Sequence, residues 1–417
     1  MKPDQKKVIV VGGGFAGLHV AKALNKTAYD VLLIDKQNHH QFQPLYYQVA
    51  SARLEPSNIS FPFRKIFQKS RNIQIRLADV TGIMPEQNTI QTSIGPFSYD
   101  YLIIATGCKT NFFGNAELEK HAMAMKTTEE SIEIRNRILL NFEKLMSARP
   151  EERQALLNIV LVGAGPTGVE LAGAFAEMKR NILPRDYPHM DFSGLNVFLL
   201  EGSKHTLNSM SEEAKVASRR YLEELGVIVK TETIVTQYDG QTARLNNGES
   251  IPTQSLIWAA GVTGNVIPGL NPENMVKNRY KVDRYNKVLD TTNIYAIGDI
   301  AYMETPKYPN GHPQLANVAI NQGKTLAHNL LKLQKGKELE QYEYKDLGSM
   351  ATVGKHKAVV DLPFWKFHGY FAWFFWMFLH LMLILSVRNK LQIFFNWAWN
   401  YVARDSSLRL ILARKKE

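Results

Sequence analysis

The sequence has almost no cysteine: Cys108 is the only one among 417 residues. A single cysteine excludes an internal disulfide, a CxxC redox pair and a cysteine-based metal cluster, and it fits a reducing compartment. The N-terminus lacks the apolar segment and cleavage site of a secretory signal, because a short basic arm leads directly into a β-branched run. We therefore expect a cytoplasmic body whose chemistry does not pass through thiol pairs.

Acidic residues are fewer than basic ones, 39 Asp and Glu against 50 Lys and Arg, and the formal charge is +11. This charge suits an anionic partner, which could be phosphorylated cofactors, an acidic lipid surface or nucleic acid. No nucleic-acid motif is present, so nucleic acid is not expected as a partner. The length, with 45% hydrophobic residues, is enough for two or three domains.

One pattern occurs twice: a β-branched strand, a glycine-rich turn, a helical stretch and a second strand that ends in an acid. The first copy has GGGFAG at residues 12–17 and ends at Asp35, and the second has GAGPTG at residues 163–168 and ends at Glu201. Such a turn places backbone N–H groups against a pyrophosphate, and the acid accepts hydrogen bonds from an adenosine ribose. The pattern predicts two Rossmann-like dinucleotide-binding folds, the alternative being two ordinary turns.

Glu201 also bears on the choice of nucleotide. A carboxylate at this position repels a 2′-phosphate and favours NADH over NADPH. Lys204 and His205 follow closely and could offset the repulsion, or they could be solvated surface residues. An insertion at residues 180–194, rich in Pro and Asp, is expected to form a loop after the second helix.

Two strand ends resemble each other, YLIIATG at residues 101–107 and SLIWAAG at residues 255–261. Small residues there let chain and cofactor approach closely. We interpret them as crossings between domains, so that residues 117–261 are inserted into a fold made of residues 1–116 and 262–335. A third strand, TTNIYAIGD at residues 291–299, ends at Asp299, which could face a ligand or cap a turn.

These separated motifs together resemble the two-dinucleotide-binding flavoproteins, whose α/β fold is glutathione-reductase-like. Within that superfamily the whole chain is similar to the type II NADH dehydrogenases, the non-proton-pumping NADH:quinone oxidoreductases. Three segments carry this resemblance: DKQNHHQFQPLYYQVA (residues 35–50), GAGPTGVELAG (residues 163–173) and ANVAINQG (residues 316–323), which aligns with the family pattern AQxAxQQG. The cysteine pairs that disulfide reductases and sulfide:quinone reductases of this fold need are missing, and Cys108 is interpreted as structural.

The resemblance implies two cofactors, FAD and NADH, and a membrane quinone as acceptor. The residues it assigns to FAD are Gly12, Gly14, Phe15, Ala16, Gly17, Asp35, Lys36, Gln43, Pro44, Leu45, Gln48, Ala105, Thr106, Gly107, Gly298, Asp299, Ala316 and Asn317. The residues it assigns to NADH are Gly163, Gly165, Pro166, Thr167, Gly168, Glu170, Glu201, Ala260 and Gly261. The residues it assigns to catalysis are Glu170, Asn317 and Asn321.

Asn317 and Asn321 depart from the family pattern, because each stands where a glutamine is usual and is one methylene shorter. A hydrogen bond from Asn317 to a quinone carbonyl would need a shifted headgroup, a second donor or a bridging water. The alternative is that residues 316–323 are only the packed start of a helix.

Glu170 lies early in the helix after the second glycine turn, where the helix dipole favours its ionised form. The resemblance implies that this acid orients the nucleotide or passes the proton that quinone reduction consumes. A helix-start glutamate that serves stability alone is the alternative. Ala174 stands where many relatives carry another acid.

The C-terminal segment, residues 336–417, becomes aromatic and aliphatic at Pro363. Residues 369–387 carry no charge and meet the length criterion for a membrane span. The stretch after them is amphipathic, and tryptophans and basic residues flank both parts. We expect two interfacial helices that hold the protein on the cytoplasmic face of an anionic membrane. A true span and a helix pair buried in a homodimer are the alternatives, and a homodimer is expected in either case; His380 is expected to be a packed or interfacial side chain.

Two other functions are compatible with the sequence. One is an NADH diaphorase or oxidase that uses oxygen or a soluble redox protein. The other is a non-catalytic, FAD-binding interaction protein. The leading prediction is FAD-dependent oxidation of NADH with transfer of two electrons to a quinone.

Overall fold

A computed structural model describes residues 5–403 and 408–411. Its α-helices, in chain order, are α1 (Phe15–Ala23), α2 (Tyr46–Ala50), α3 (Phe63–Ile66), α4 (Ala116–His121), α5 (Thr128–Leu145), α6 (Pro150–Leu157), α7 (Pro166–Asn181), α8 (Leu183–Asp186), α9 (Glu212–Glu224), α10 (Ala316–Leu333), α11 (Tyr370–Leu383) and α12 (Val387–Ala403).

The strands as far as the second glycine turn are β1 (Lys7–Val11), β2 (Asp30–Asp35), β3 (His39–Gln41), β4 (Ser60–Pro62), β5 (Ile73–Leu77), β6 (Val80–Met84), β7 (Thr89–Thr92), β8 (Phe97–Ser98), β9 (Tyr101–Ile104), β10 (Cys108–Thr110), β11 (Met123–Ala124) and β12 (Asn158–Val162). The later strands are β13 (Asn196–Leu200), β14 (Val227–Lys230), β15 (Val235–Tyr238), β16 (Thr242–Leu245), β17 (Ser250–Pro252), β18 (Ser255–Trp258), β19 (Val262–Gly264), β20 (Met275–Val276), β21 (Arg279–Lys281), β22 (Ile294–Ala296), β23 (Ala301–Tyr302), β24 (Ser349–Thr352), β25 (Ala358–Asp361) and β26 (Lys366–Gly369).

The described residues form two compact units. The first unit comprises those within Met1–Gln41, Phe61–Lys109 and Val262–Asp346, and the second those within Phe42–Ser60, Thr110–Gly261 and Leu347–Glu417. Compactness does not say which ligand a unit binds, so the domain limits inferred from the sequence stay a prediction.

The first unit is built on a parallel sheet with strand order β22-β9-β1-β2-β5. Its central strand β1 is apolar and buried from Val8 to Val11, as expected for a parallel sheet covered on both faces. Helices α1 and α10 pack closely together, and a Cβ on Gly323 would lie 2.6 Å from the Ala16 carbonyl oxygen. The small antiparallel sheet β6-β7-β8 belongs to the same unit.

The second unit repeats the plan with the parallel sheet β11-β18-β12-β13-β14. Helix α7 is buried over most of its length. Helix α5 begins with a capping box, in which the side chains of Thr127 and Glu130 bond to each other's backbone N–H groups. An antiparallel sheet, β24-β25-β26, packs against α7 and α11. The approach of α7 to β24 is close, because a Cβ on Gly173 would lie 2.7 Å from the Gly354 nitrogen.

The predicted fold class of two Rossmann-like folds is confirmed by these sheets. The loop expected at residues 180–194 is wrong at its start, because α7 continues to Asn181 and α8 follows at once. Ile182 and Leu183 are buried there, and their packing keeps the chain helical. The strands β24 to β26 were not predicted.

The C-terminal segment does not form one long helix. Helix α11 ends at Leu383, Ile384 is extended, and Ser386 accepts a hydrogen bond from the Asn389 N–H at the start of α12. Among the described residues, none of the helices has both the length and the hydropathy needed to cross a membrane. The predicted amphipathic stretch is confirmed as α12.

Candidate functional site

The first glycine turn combines two tightly packed positions with one open position. Gly12 has a φ of +98°, and a Cβ there would lie 2.4 Å from the Ala105 carbonyl oxygen. A Cβ on Gly17 would lie 1.9 Å from the Gly12 carbonyl oxygen. A Cβ on Gly14, at the N-cap of α1, would meet nothing within 4 Å. The turn therefore offers an open cradle of backbone N–H groups at a helix N-terminus.

Asp35 stabilises this turn from the end of β2. Its carboxylate accepts hydrogen bonds from the Gly13 N–H at 2.6 Å and the Gln37 N–H at 2.7 Å. Burial raises the pKa of Asp35, and these two N–H donors oppose the rise. Phe15 begins α1, 5.2 Å from the His40 ring, whereas the neighbouring Lys36 is exposed.

The second glycine turn has the same geometry in the second unit. Gly163 has a φ of +100° and packs against Ala260, with 2.8 Å between a Cβ and the Ala260 Cα. A Cβ on Gly168 would lie 1.9 Å from the Gly163 carbonyl oxygen, and Gly165 is open. Pro166 and Thr167 follow at the exposed start of α7, and Gly261 has a φ of +75°.

Glu201 stabilises the second glycine turn in the same way that Asp35 stabilises the first. Its carboxylate accepts from the Ala164 N–H at 2.7 Å and the Ser203 N–H at 2.8 Å. Lys204 and His205 are both exposed. Each carboxylate keeps lone pairs beyond these two bonds, which is the chemistry a ribose hydroxyl needs.

Asp299 lies where β22 gives way to a short 3₁₀ turn, Gly298–Ile300. The Cys108 thiol donates to its carboxylate at 2.9 Å, which supports the structural interpretation of Cys108. Gly298, with a φ of +75°, donates its N–H to the Gln322 side chain at 2.7 Å. In the same unit Ala105 is buried, and the Thr106 hydroxyl donates to the Asn265 carbonyl. A Cβ on Gly107 would meet nothing within 4 Å.

Ala316, Asn317 and Asn321 lie in the first turns of α10, all partly buried. Asn317 lies near the Tyr344 hydroxyl, and its Oδ1 is buried with no hydrogen-bond partner among the described residues. An unpartnered buried oxygen is compatible with a ligand. The close packing of Gly323 on α1 is what a purely structural helix start would also show.

The segment before α2 brings Gln48 into a hydrogen-bonded chain inside the second unit. Gln43, Pro44 and Leu45 form a 3₁₀ turn with Gln43 exposed and Leu45 buried. Gln48 is buried, accepts from the Trp397 indole N–H at 2.8 Å, and donates to the Tyr47 hydroxyl at 3.0 Å.

Glu170 lies in α7 and is buried. Burial raises its pKa to about 8. The backbone N–H of Thr352 donates to Oε1 at 3.2 Å and, with the nearby Thr352 hydroxyl, opposes the rise. The Trp376 indole N–H opposes it too, although it falls short of hydrogen-bond geometry. The expectation that the helix dipole keeps Glu170 ionised is therefore wrong, because desolvation outweighs the dipole.

Glu170 and Gln48 line one cavity of about 550 Å³ within the second unit. Tyr47, Thr352, Trp376 and Trp397 share this lining and were not predicted as site residues, together with charged side chains that include Glu177, Lys355 and Lys357. Sequence periodicity carries no signal for them, because they come from α2, β24, α11 and α12 and meet only after folding.

His380 lies in α11, and the sequence predicts that it is a packed or interfacial side chain. It is buried, its ring stacks on Trp376 at 3.8 Å, and its Nδ1 contacts the Trp376 carbonyl at 2.9 Å. Burial lowers its pKa to about 4, so the ring is neutral. The prediction that His380 is a packed side chain is confirmed.

Comparison with known proteins identifies two families along the chain. Residues 6–323 match the family described as Pyridine nucleotide-disulphide oxidoreductase, and residues 347–405 match the NDH2 C-terminal domain. The type II NADH:quinone oxidoreductase Ndh of Mycobacterium tuberculosis is 32% identical over 421 residues, which cover 96% of this chain and 89% of that protein.

Two further similarities extend this result. The internal alternative NAD(P)H-ubiquinone oxidoreductase A1 of Solanum tuberosum mitochondria is 30% identical over 446 residues, covering 97% of this chain and 89% of that protein. The structure of NDH2 from Plasmodium falciparum in complex with NADH superposes with a TM-score of 0.91 at 21% identity, over 98% of this chain and 100% of that chain. At 21% sequence identity, this superposition shows that the two chains share a fold.

Proposed function

Because the chain belongs to the type II NADH:quinone oxidoreductases, FAD-dependent enzymes that oxidise NADH and reduce quinone, we propose specific roles for its residues in that reaction. The first glycine turn binds FAD, the second binds NADH, and Glu170 holds the proton that quinone reduction takes from water. The single observation that carries the last role is the buried Glu170 carboxyl, whose pKa is raised to about 8. The oxygen-dependent diaphorase and the non-catalytic protein have no comparable support.

The first unit fits the diphosphate of FAD at Gly14, where a bound group would meet open space and backbone N–H donors. Asp35, which accepts from the Gly13 N–H, would also accept from the adenosine ribose, and Asp299, which accepts from the Cys108 thiol, would accept from the ribityl chain. When bound, FAD accepts hydride from the nicotinamide and passes two electrons on. The roles of Pro44, Leu45 and Gln48 beside the flavin stay predictions.

The second unit fits NADH by the same reasoning. Gly165 leaves the cradle open, and Glu201 is fixed by two backbone N–H groups so that its free lone pairs can accept from both ribose hydroxyls. A 2′-phosphate would meet this carboxylate as a like charge. We therefore propose that the enzyme prefers NADH.

The proton requirement follows from the overall reaction. NADH gives a hydride, which carries two electrons and one proton, whereas the quinol that forms carries two electrons and two protons. One proton must come from water. Below pH 8 Glu170 is mostly protonated, so it can supply this proton. Asn317 and Asn321 are proposed to contact the quinone headgroup.

We also propose that α11 and α12 dock on an anionic bilayer at the cytoplasmic face. On α11 the buried residues are Ala372, Trp376 and His380, and on α12 they are Ile393 and Trp397, each set at a spacing of four. The opposite faces expose large apolar side chains: Phe371, Phe374, Phe378, Met382, Leu391, Phe394, Phe395, Trp399 and Val402. A surface of this kind suits the lipid interface.

Basic residues beside this surface support an anionic partner. Arg388 is exposed, Lys390 donates to the Met382 carbonyl, and Arg409 pairs with Asp186. Four further basic residues that the sequence suggests for contact with lipid phosphates, Arg404, Arg414, Lys415 and Lys416, lie outside the described residues. A second copy of the chain is the alternative occupant, consistent with the predicted homodimer.

The residue roles are tested by rapid mixing without oxygen. NADH is expected to bleach the flavin absorbance, and a soluble quinone analogue to restore it; failure of the quinone to restore it would overturn the proposed acceptor roles.

Docking of α11 and α12 on a bilayer is tested by flotation with vesicles of phosphatidylglycerol and phosphatidylcholine. Binding to these vesicles supports the bilayer, whereas a dimer that stays off the vesicles supports the second copy.

Deletion of the C-terminal segment is not a clean test of either proposal. Trp376 and Trp397 line the Glu170 cavity, and α11 packs on the sheet of β24 to β26. A deletion would therefore expose the cavity as well as remove the apolar surface. Single substitutions on the exposed faces are the appropriate perturbation.

A further inference from the structure

The buried Glu170 carboxyl needs a route by which a proton returns to it after each turnover. We propose that the hydroxyls of Tyr47 and Thr352 form a relay that returns this proton from the cavity to Glu170. The inference rests on the proton-carrying role proposed above for Glu170. Both hydroxyl residues line the cavity with Glu170, and all three belong to the second unit.

The relay is a series of neighbouring polar groups that leads to the Glu170 carboxyl. The Tyr47 hydroxyl lies 3.2 Å from Thr352 Oγ1, and the Thr352 backbone N–H donates to Glu170 Oε1 at 3.2 Å, which holds this threonine beside the carboxyl. Behind Tyr47, Gln48 Nε2 lies 3.0 Å from the hydroxyl, and the Trp397 indole nitrogen lies 2.8 Å from Gln48 Oε1. Hydroxyls can donate and accept at once, which is what proton relay requires.

The direction of the chain is fixed at its far end. An indole nitrogen can only donate, so Gln48 must turn its oxygen to Trp397 and its NH₂ group to Tyr47. Tyr47 therefore accepts from Gln48, and its own proton is available to Thr352 Oγ1. The Thr352 hydroxyl proton is then the next in line for Glu170, whose Oε1 already accepts from the Thr352 backbone N–H.

The position of Thr352 is set by close packing between α7 and the turn after β24. A Cβ on Gly173 would lie 2.7 Å from the Gly354 nitrogen, so only glycine allows this approach. The Thr352 backbone N–H reaches Glu170 across the same contact. The relay therefore depends on a backbone approach that a larger residue on α7 would prevent.

Each turnover moves one proton along the relay. Glu170 gives its proton to the reduced acceptor and becomes a carboxylate. The Thr352 proton moves to Glu170, the Tyr47 proton moves to Thr352, and cavity water gives one proton to Tyr47, so that one proton is taken from bulk water. Burial raises the pKa of Tyr47, with the Glu170 charge adding to the rise, so the transfers occur together and not through a free tyrosinate.

The test separates the first turnover from the steady state. Thr352→Val removes the hydroxyl but keeps the backbone N–H and the approximate shape. Enzyme reduced by one equivalent of NADH and mixed with a quinone analogue at pH 6.5 starts with Glu170 protonated, so its first reoxidation should keep the wild-type rate. With excess NADH and quinone, kcat should fall by about tenfold or more, because the proton must return without the relay.

Three further variants make this result specific. Thr352→Ser restores the hydroxyl and should restore kcat, and Tyr47→Phe should lower kcat in the same way as Thr352→Val. The solvent isotope effect on kcat should rise in both slow variants, because proton return becomes rate-limiting. Thr206→Val is the matched control, since Thr206 is a buried threonine bonded to the Ser218 hydroxyl at 2.7 Å and does not line the cavity.

Two outcomes overturn different parts of the reasoning. If Thr352→Val and Tyr47→Phe keep the wild-type kcat and isotope effect, the relay is wrong. If Glu170→Gln keeps the wild-type rate of first reoxidation, the proton-carrying role of Glu170 itself is wrong. A loss of kcat in Thr206→Val equal to that in Thr352→Val would assign the effect to stability and also overturn the relay.

Discussion

Replacing Glu170 by glutamine perturbs a single proton at an almost unchanged side-chain volume. The pKa of Glu170 is raised from 4.5 to about 8 by burial, so at pH 7 the protonated form exceeds the ionised form by about tenfold. The glutamine amide keeps its hydrogen-bonding capacity but has no proton to give. We expect the first reoxidation of reduced enzyme by a quinone analogue to slow by about a hundredfold, the lower range for general acid catalysis.

Loss of the Glu170 proton at high pH should also appear in the rate of the first reoxidation. In the wild-type enzyme the rate of first reoxidation should be level below pH 8 and fall about tenfold per pH unit above it, as the carboxyl loses its proton. In the Glu170→Gln variant this fall should be absent. The measurement is rapid mixing of NADH-reduced enzyme with quinone from pH 6 to 9.5. A wild-type profile that stays level to pH 9.5, or a variant that retains the fall, would refute the assignment.

The same pKa shift predicts a change in stability with a definite sign. Below pH 4.5 the carboxyl is protonated in both folded and unfolded chains, and between 4.5 and 8 only the folded chain keeps the proton. The stability that this group contributes is fully present below pH 4.5 and is lost as pH rises through 8, by at most roughly 5 kcal/mol. The wild type should therefore lose stability relative to Glu170→Gln over this interval. Parallel denaturation of both proteins at pH 5 and 8.5 measures the difference.

Other predictions concern the nucleotide, the acceptor and the membrane. Glu201→Gln should reduce the ratio of kcat/KM for NADH over NADPH by about tenfold, the worth of one close charge, and an unchanged ratio would contradict its role. Asn317→Ala should raise the quinone KM and leave flavin reduction by NADH intact, whereas a slower reduction by NADH would place Asn317 elsewhere. Phe378→Ser should weaken flotation with anionic vesicles and keep turnover with a water-soluble quinone, and unaltered flotation would argue against docking through α11.

The cofactor cradles could be predicted because their chemistry is local in sequence. The glycine turn, the helix start and the acid of each βαβ unit lie within about 40 residues of one another, and the structure gives Asp35 and Glu201 matching bonds to the turns beside them. Helix α12 was also predictable, because polar and apolar residues alternate along its sequence with the spacing of an amphipathic helix.

What the sequence left open or missed has a common physical cause. Residues 369–387 contain no charge and left a membrane span as an alternative, yet the helix ends at Leu383, because Ser386 and Asn389 form the start of α12. Composition over a window does not register such a cap. The strands β24 to β26 were missed since their pairing and burial depend on α7 and α11.

The sequence by itself determined the family, the two nucleotide cradles, the preference expected from Glu201 and the lack of thiol chemistry, because each depends on residue identity at short spacing. Only the tertiary structure decided the protonation of Glu170, since desolvation depends on what surrounds a side chain. It also brought Tyr47 and Thr352, which are 305 residues apart, within hydrogen-bond distance. The acid is visible in the sequence, but its proton and the route that resupplies it are properties of the packed cavity.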